Sequence, residues 1–196
     1  MATAETLRKQ ITTLSLAMTD FDPVAVKSAL EDFLTPDTTI YLCHPFGELI
    51  GPQALYDAAY APLLSALPDL ERRGWIVSAG TDEDGDDWIG CAGHYIGTFV
   101  GPFLDIPPTG HLAHMRYHEF YRVVDGKAVE MQAIWDLPEL MLQANAWPMS
   151  PSLGREMFIP GPATQDGLNS DCRTIEQGTH SLNVVIEMLT NLSRHP

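Results

Sequence analysis

The sequence predicts an α+β fold: helices first, then a curved antiparallel or mixed sheet, then a helical tail. Three observations carry this. Apolar residues recur at helical spacing as far as Pro68. From Gly74 onward the apolar period falls to two. Asp125-Gly126, flanked by runs rich in Val, Tyr and Phe, is the pair that a two-residue hairpin turn of type I′ requires, because both central residues need positive φ.

Leu7, Ile11, Leu14 and Met18 fall on one stripe and predict a first helix ending near Asp20. Asp22-Pro23 supplies an N-cap and a proline at the first helical position, and Val26, Leu30 and Phe33 continue a second helix that stops before Pro36. Thr38 to Leu42 is β-branched and aromatic, a short strand entering the turn His44-Pro45-Phe46-Gly47. Pro52 opens a third helix with Leu55, Ala59 and Leu63 on one face. Pro62 must kink it and Pro68 closes it.

Gly74 to Ala79 and Trp88 to Val100 read as strands joined by the acidic loop 82–87. Gly90, Gly93 and Gly97 lie in the second of these strands and allow it to bend sharply. Residues 101–110 are too rich in proline for regular structure and fit a loop over a sheet end, able to lid a pocket. Arg116 to Trp135 forms the long hairpin, Pro138 begins a short helix around Leu140 to Gln143, and a Pro/Gly-rich connector starts at Trp147. A last helix, capped by Asp171 or Thr174, carries a stripe of Ile175, Leu182, Val185, Ile186 and Leu189. The expected division is a domain over 1–153 and a connector with terminal helix over 154–196.

Counting outward from an unbroken hairpin pairs Tyr121 with Glu130, Glu119 with Gln132 and Tyr117 with Ile134. One face then carries Met115, Tyr117, Glu119, Tyr121, Glu130, Gln132, Ile134 and Asp136. The other carries Arg116, His118, Phe120, Arg122, Val129, Met131, Ala133 and Trp135. Neither is cleanly apolar, which fits a partly solvated sheet or a sheet around a polar-lined cavity.

With 11 Lys and Arg against 26 Asp and Glu, the formal charge of −15 repels phosphate backbones and anionic membranes, so neither nucleic acid nor a membrane is an expected partner. Three widely spaced cysteines, Cys43, Cys91 and Cys172, form neither a zinc motif nor a disulfide scaffold and suit a reducing compartment. The first residues lack the layout of a signal peptide and no apolar run is long enough to span a bilayer, so the expected location is the cytoplasm.

There is no GxSxG elbow, catalytic cysteine signature or phosphate-cradling GxxxxGK. No metal site is expected: the acidic loop lacks the closing glutamate and framing helices of a calcium hand, and a site of two histidines and a carboxylate would need ligands converging from at least two strands. Among the histidines, His111, His114, His180 and His195 are set aside as exposed or in the tail. His94 and His118 remain as mid-strand candidates, with satisfied core histidines as the competing explanation. What remains is cofactor-free acid/base chemistry. Glu119, Asp136 and His94 are the candidate catalytic residues. Tyr117, His118, His44, Trp135, Gln132 and Tyr95 are the candidates for holding a substrate.

Four local strings carry a family resemblance: Gly93-His94-Tyr95-Ile96-Gly97, LDIPPTG from Leu104 to Gly110, Val124-Asp125-Gly126-Lys127, and the helix Leu140 to Gln143 followed by Trp147-Pro148. Over roughly residues 5 to 155 the chain resembles the SnoaL-like polyketide cyclases of the nuclear-transport-factor-two-like superfamily. The resemblance implies an α+β cone with three N-terminal helices on a curved mixed sheet, a deep pocket and a homodimer. It also implies an intramolecular aldol ring closure on an aromatic polyketide ester, without cofactor or metal. The family's glycine-flanked histidine is His94. Its acid/base aspartate corresponds to Ala133 and the histidine of the preceding strand to Glu119. A one-residue slip would bring Gln132 or Ile134 to the aspartate's place, and neither titrates. The function expected is therefore cyclase-like acid/base chemistry on a small carbonyl compound. The alternatives are a non-catalytic binder of a hydrophobic metabolite, an isomerase, dehydratase or hydrolase using the same pocket, and a scaffold assembled through the tail helix.

Overall fold

A computed structural model describes residues 3–151 and 175–194 of the chain. The stripe Leu7, Ile11, Leu14 and Met18 is buried as its spacing predicts, but Ile11 divides it into α1 (Ala4–Gln10) and α2 (Thr12–Ala17). Asp22 caps α3 (Pro23–Phe33) by accepting from the backbone N–H groups of Val24 and Ala25, a contact that stabilises a helix start by about 1 kcal/mol. β1 (Leu34–Leu42) begins four residues earlier than its β-branched core predicts. It turns through His44-Pro45 into β2 (Gly47–Ile50), a strand too short to show in the sequence. The expected third helix is α4 (Gly51–Leu55), a π-helical turn over Tyr56–Tyr60 and α5 (Ala61–Ala66). The kink demanded by Pro62 is taken up in the turn before it.

β3 (Glu71–Thr81) and β4 (Asp87–Thr98) form the first long hairpin, and β5 (Leu112–Val124) and β6 (Lys127–Trp135) the second. Asp125 and Gly126 both have positive φ, at 49° and 82°, as the turn requires. α6 (Leu137–Gln143) follows β6, and α7 (Ile175–Leu192) is the tail helix. Its expected caps, Asp171 and Thr174, lie outside the described residues. Leu182, Val185, Ile186 and Leu189 on its stripe are exposed in this chain. No described helix is long and apolar enough to cross a membrane.

The six strands make one curved, unclosed sheet in the order β2-β1-β6-β5-β4-β3, antiparallel except where β1 runs parallel to β6. The inner face packs against the helices at the N-terminal end of the chain: Phe33 of α3 meets Tyr121 at 5.3 Å between ring centroids, and Tyr60 meets Trp135 at 5.5 Å. The helix α6 packs on β5 from the outer side.

The unbroken register expected for the β5–β6 hairpin is wrong. Val124 pairs with Lys127 and Val123 with Ala128, but Arg122 then pairs with Glu130, leaving Val129 as an extra residue. The bulge moves every later β6 side chain to the other face, so Tyr121 pairs with Met131, Glu119 with Ala133 and Tyr117 with Trp135. Met131, Ala133 and Trp135 are buried inside; Gln132 and Ile134 are exposed outside. The bulge thereby places the large side chains Met131 and Trp135 on the inner face with Tyr117 and Tyr121, while Gln132 and Glu130 stay outside beside the exposed Ile134 and Phe120. The cause is burial: the alternative would put Glu130 and Gln132 in the core and Trp135 in water. A second bulge falls at Trp75, between the pairs Gly74–Gly93 and Ile76–Ala92, and its indole lies against His94 on the outer face.

Candidate functional site

Among the described residues, one carboxylate lies in the interior. Glu119 lies mid-strand on β5 and is fully buried. Cys91 of β4 and Ala133 of β6 are its register partners on either side. These small neighbours leave room for larger side chains to lean over the carboxylate, and four do. Oε2 accepts from Arg72 Nη2 at 2.7 Å and from the Tyr121 hydroxyl at 2.9 Å. Oε1 accepts from the Tyr95 hydroxyl at 2.7 Å and from Trp135 Nε1 at 3.2 Å. The four acceptor positions of a carboxylate are thus taken.

Arg72 reaches in from β3, across β4. Its guanidinium lies over the Tyr117 ring, 4.2 Å from the centroid, and its backbone N–H donates to the Met18 carbonyl, tying the end of α2 to the sheet. Burial works against its charge, but the Glu119 carboxylate and the surrounding tyrosines more than offset this, so its pKa rises and the guanidinium stays protonated. Burial, reinforced by Glu119, pushes the hydroxyls of Tyr60, Tyr95 and Tyr121 well above their usual pKa, so all three are neutral donors; burial does the same to Tyr117. Burial also raises the Cys91 thiol to about 11. Among the described residues, Arg72 Nε and the Tyr117 hydroxyl are buried with no hydrogen-bond partner. Tyr117 fits because its cross-strand partner is Gly93, whose missing Cβ would stand 2.7 Å from the hydroxyl and 2.0 Å from the Arg73 carbonyl oxygen. Aromatic rings pack around this group: Trp135 lies 5.1 Å from Tyr95 and 5.6 Å from Phe46, and the half-buried Phe46 also meets Phe103 at 6.4 Å.

A second cluster occupies the outer face, under α6. His94 of β4 is 1 % exposed and lies 4.2 Å from the Trp75 ring and 5.7 Å from the His114 ring. His94 Nε2 is 3.9 Å from Glu139 Oε2, and His114 Nδ1 is 3.2 Å from Glu139 Oε1. The Arg116 backbone N–H donates to Glu139 Oε2 at 2.8 Å. Burial opposes the Glu139 charge, but the hydrogen bonds from His114 and Arg116 prevail and hold its pKa below the usual value. Burial pulls the His94 imidazole down to about 4, so it is neutral at pH 7.

Of the residues read as candidates, Glu119, Tyr95, Tyr117 and Trp135 meet in the interior. The others do not join them. His94 faces the opposite side of the sheet, because it neighbours Tyr95 and side chains alternate. Asp136 lies past the end of β6, where it caps α6 by accepting from the Glu139 N–H at 3.1 Å and faces Arg116 at 3.8 Å. His118 and Gln132 are exposed on the outer face, and His44 is exposed in the β1–β2 turn. Arg72, Tyr60 and Tyr121 went unpredicted. Nothing local marks Arg72, since its partner is 47 residues away, though a buried carboxylate calls for a cation among the chain's 11. His114, expected to be exposed, is 23 % exposed in its side chain and bound to Glu139.

The model of the SnoaL-like polyketide cyclase family matches residues 14–144. Comparison with curated proteins finds no match. Among solved structures, AclR from Streptomyces galilaeus, a candidate hydroxylase, superposes with a TM-score of 0.60 at 20 % identity, covering 77 % of this chain and 92 % of its own. IdmH from Streptomyces antibioticus, a candidate polyketide cyclase, gives 0.58 at 20 % identity, covering 71 % and 98 %. A SnoaL-like candidate cyclase from Jannaschia sp. CCS1 gives 0.57 at 23 % identity, covering 76 % and 100 %. At these identities the structures establish a shared fold, that of the cone. The family match spans most of the described domain, with Glu119 and all four of its donors inside it, and on that ground the chain belongs to the SnoaL-like polyketide cyclase family.

Proposed function

We propose that this protein is a cyclase-like enzyme that moves a proton on a small carbonyl compound within its aromatic interior, with Glu119 as the proton acceptor. The supporting observation is the fully buried Glu119 carboxylate, positioned by four donors at the register position facing Ala133. Glu119 and Ala133 stand where the family resemblance places a histidine and an aspartate. This interior therefore offers one carboxylate in place of that pair.

The chemistry follows from the donors. Trp135 Nε1, at 3.2 Å, makes the longest of the four hydrogen bonds, so the Oε1 position it occupies is the one a substrate C–H group most readily takes over. As the α-proton leaves for Glu119, charge builds on the substrate's carbonyl oxygen. Arg72 Nε and the Tyr117 hydroxyl are the two spare donors for that oxygen. The enolate then attacks a second carbonyl of the same molecule, closing a ring, and the alkoxide so formed takes the proton back from Glu119, which restores the carboxylate with no cofactor in the scheme. Phe46, half-buried against both Trp135 and Phe103, is the ring that moves to admit a ligand. His94 and Asp136 have no part in the scheme, since neither reaches the interior.

The test is ring closure of aromatic polyketide methyl esters bearing a 1,3-dicarbonyl side chain, followed by absorbance and chromatography. Glu119→Gln keeps the shape and should lower turnover by roughly 10²–10⁴-fold, the usual contribution of a positioned general base. Unchanged turnover in a folded Glu119→Gln protein refutes the scheme. The saturated acceptor positions of Glu119 favour a second reading, a ligand-binding protein without turnover. Quenching of Trp135 fluorescence by the same esters, with no product formed, would establish it.

A further inference from the structure

We propose that His94, His114 and Glu139 form a binding site for a divalent transition-metal cation of the zinc class, on the outer face of the sheet and separate from the Glu119 interior. The three side chains come from β4, β5 and α6, and one ligand atom from each lies within 4.8 Å of the others. Two imidazole nitrogens and one carboxylate oxygen suit zinc, cobalt, nickel or ferrous iron, whereas calcium and magnesium take oxygen ligands. Ligand atoms around a four-coordinate zinc at about 2.0–2.2 Å stand roughly 3.3–3.6 Å apart. Glu139 faces the two histidines through different oxygens, with His114 Nδ1 3.2 Å from Oε1 and His94 Nε2 3.9 Å from Oε2, so coordination through a single oxygen requires the carboxylate to turn between them.

The ligands are held in place from behind, as metal ligands need to be. Glu139 is oriented by the Arg116 backbone N–H at 2.8 Å. Gln143 fixes the His114 backbone at both ends, its Nε2 donating to the His114 carbonyl at 2.6 Å and its Oε1 accepting from the His114 N–H at 3.1 Å. The Trp75 ring sits against His94 at 4.2 Å between centroids. His114, with 23 % of its side chain exposed, gives the ion its path from solvent. One group opposes a cation: the Arg116 guanidinium, 3.6 Å from Glu139 Oε1. It also faces Asp136 at 3.8 Å and is 36 % exposed, so it can move onto Asp136 as the ion arrives. The bound ion would tie α6 to two neighbouring strands.

The full-length protein, stripped with a chelator and dialysed, is titrated with Zn²⁺ by calorimetry and with Co²⁺ by visible absorption. One ion per chain at micromolar affinity or tighter is expected, with the strong visible bands of four- or five-coordinate cobalt. His114→Ala and Glu139→Gln should each weaken binding at least tenfold, whereas Asp82→Asn with Asp86→Asn, in the distant acidic loop, should leave it unchanged. Because a variant can fail to fold, the wild-type chain is also treated with diethylpyrocarbonate, and Zn²⁺ should protect His114 from modification. Absence of stoichiometric binding, binding that persists in both ligand variants, or equal His114 labelling with and without Zn²⁺ overturns the proposal.

Discussion

The Arg72 guanidinium meets the Glu119 carboxylate at 2.7 Å, spanning from β3 to β5 across the intervening β4, with neither side chain appreciably exposed. Removing one member of such a pair strands the other charge in the interior. Arg72→Met is therefore expected to lower stability by roughly 3–5 kcal/mol in urea unfolding. The double variant Arg72→Met with Glu119→Leu removes both charges and should recover most of that loss, because the desolvation cost disappears with them. Equal losses in the single and double variants would show that packing, not charge, sets the cost.

Gly93 and Gly80 offer a matched pair of substitutions. A Cβ on Gly93 would stand 2.0 Å from the Arg73 carbonyl oxygen, a backbone atom that cannot step aside alone. Gly93→Ala should cost about 3 kcal/mol, the upper end for overpacking, and shift the near-ultraviolet signal of Tyr117. Gly80, on β3, has nothing within 4 Å of its Cβ position, so Gly80→Ala should change stability by less than about 0.5 kcal/mol. Thermal melts of the two variants decide this.

The outer face should make the metal-free protein acid-sensitive. Burial depresses His94 from 6.5 to about 4, against the partial opposition of Glu139 and with His114, Arg116 and His118 nearby. The unfolded chain takes up that proton near pH 6.5 and the folded chain only near pH 4. The stability held in the neutral imidazole is thus fully present above about pH 6.5 and lost as pH falls toward 4. The loss amounts to roughly 3 kcal/mol at most. Urea midpoints across this window, compared with those of His94→Gln, measure it: the variant should have a flatter profile.

Cys91 should resist alkylation. Its thiol, buried between β3 and β5, is raised to about 11, so at pH 8 the reactive thiolate is a minute fraction. Peptide mass spectrometry after iodoacetamide at pH 8 should find Cys91 unmodified in the folded protein and modified in urea. Cys43, also raised by burial but only partly buried, should react faster than Cys91.

Much of the fold was legible because its signals are local. Asp22-Pro23 announces a helix start and Asp125-Gly126 a hairpin turn, each through backbone needs that two residues meet by themselves. Asp136 carried a similar signal: with Pro138 and Glu139 after it, it heads a helix, and the structure uses it as that cap. Its carboxylate drew attention for its chemistry instead. The interior was half legible. Glu119, Tyr95 and Tyr117 alternate onto one face whatever the register, whereas Trp135 joins them only through the bulge at Val129. That bulge is chosen by which side chains can leave water, which depends on the helices packed against the other side of the strand. Two parts lay beyond local inference: Arg72 reaching Glu119 across a strand, and Glu139 descending from α6 onto two histidines of different strands.

Val129 also limits how this chain can vary. Losing that single residue would turn the strand inside out, driving Glu130, Gln132 and Ile134 inward and stranding Trp135 outside. Gradual change in the interior lining along β6 is therefore open only to replacements at 131, 133 and 135, and closed to insertions or deletions between the turn and the strand's end.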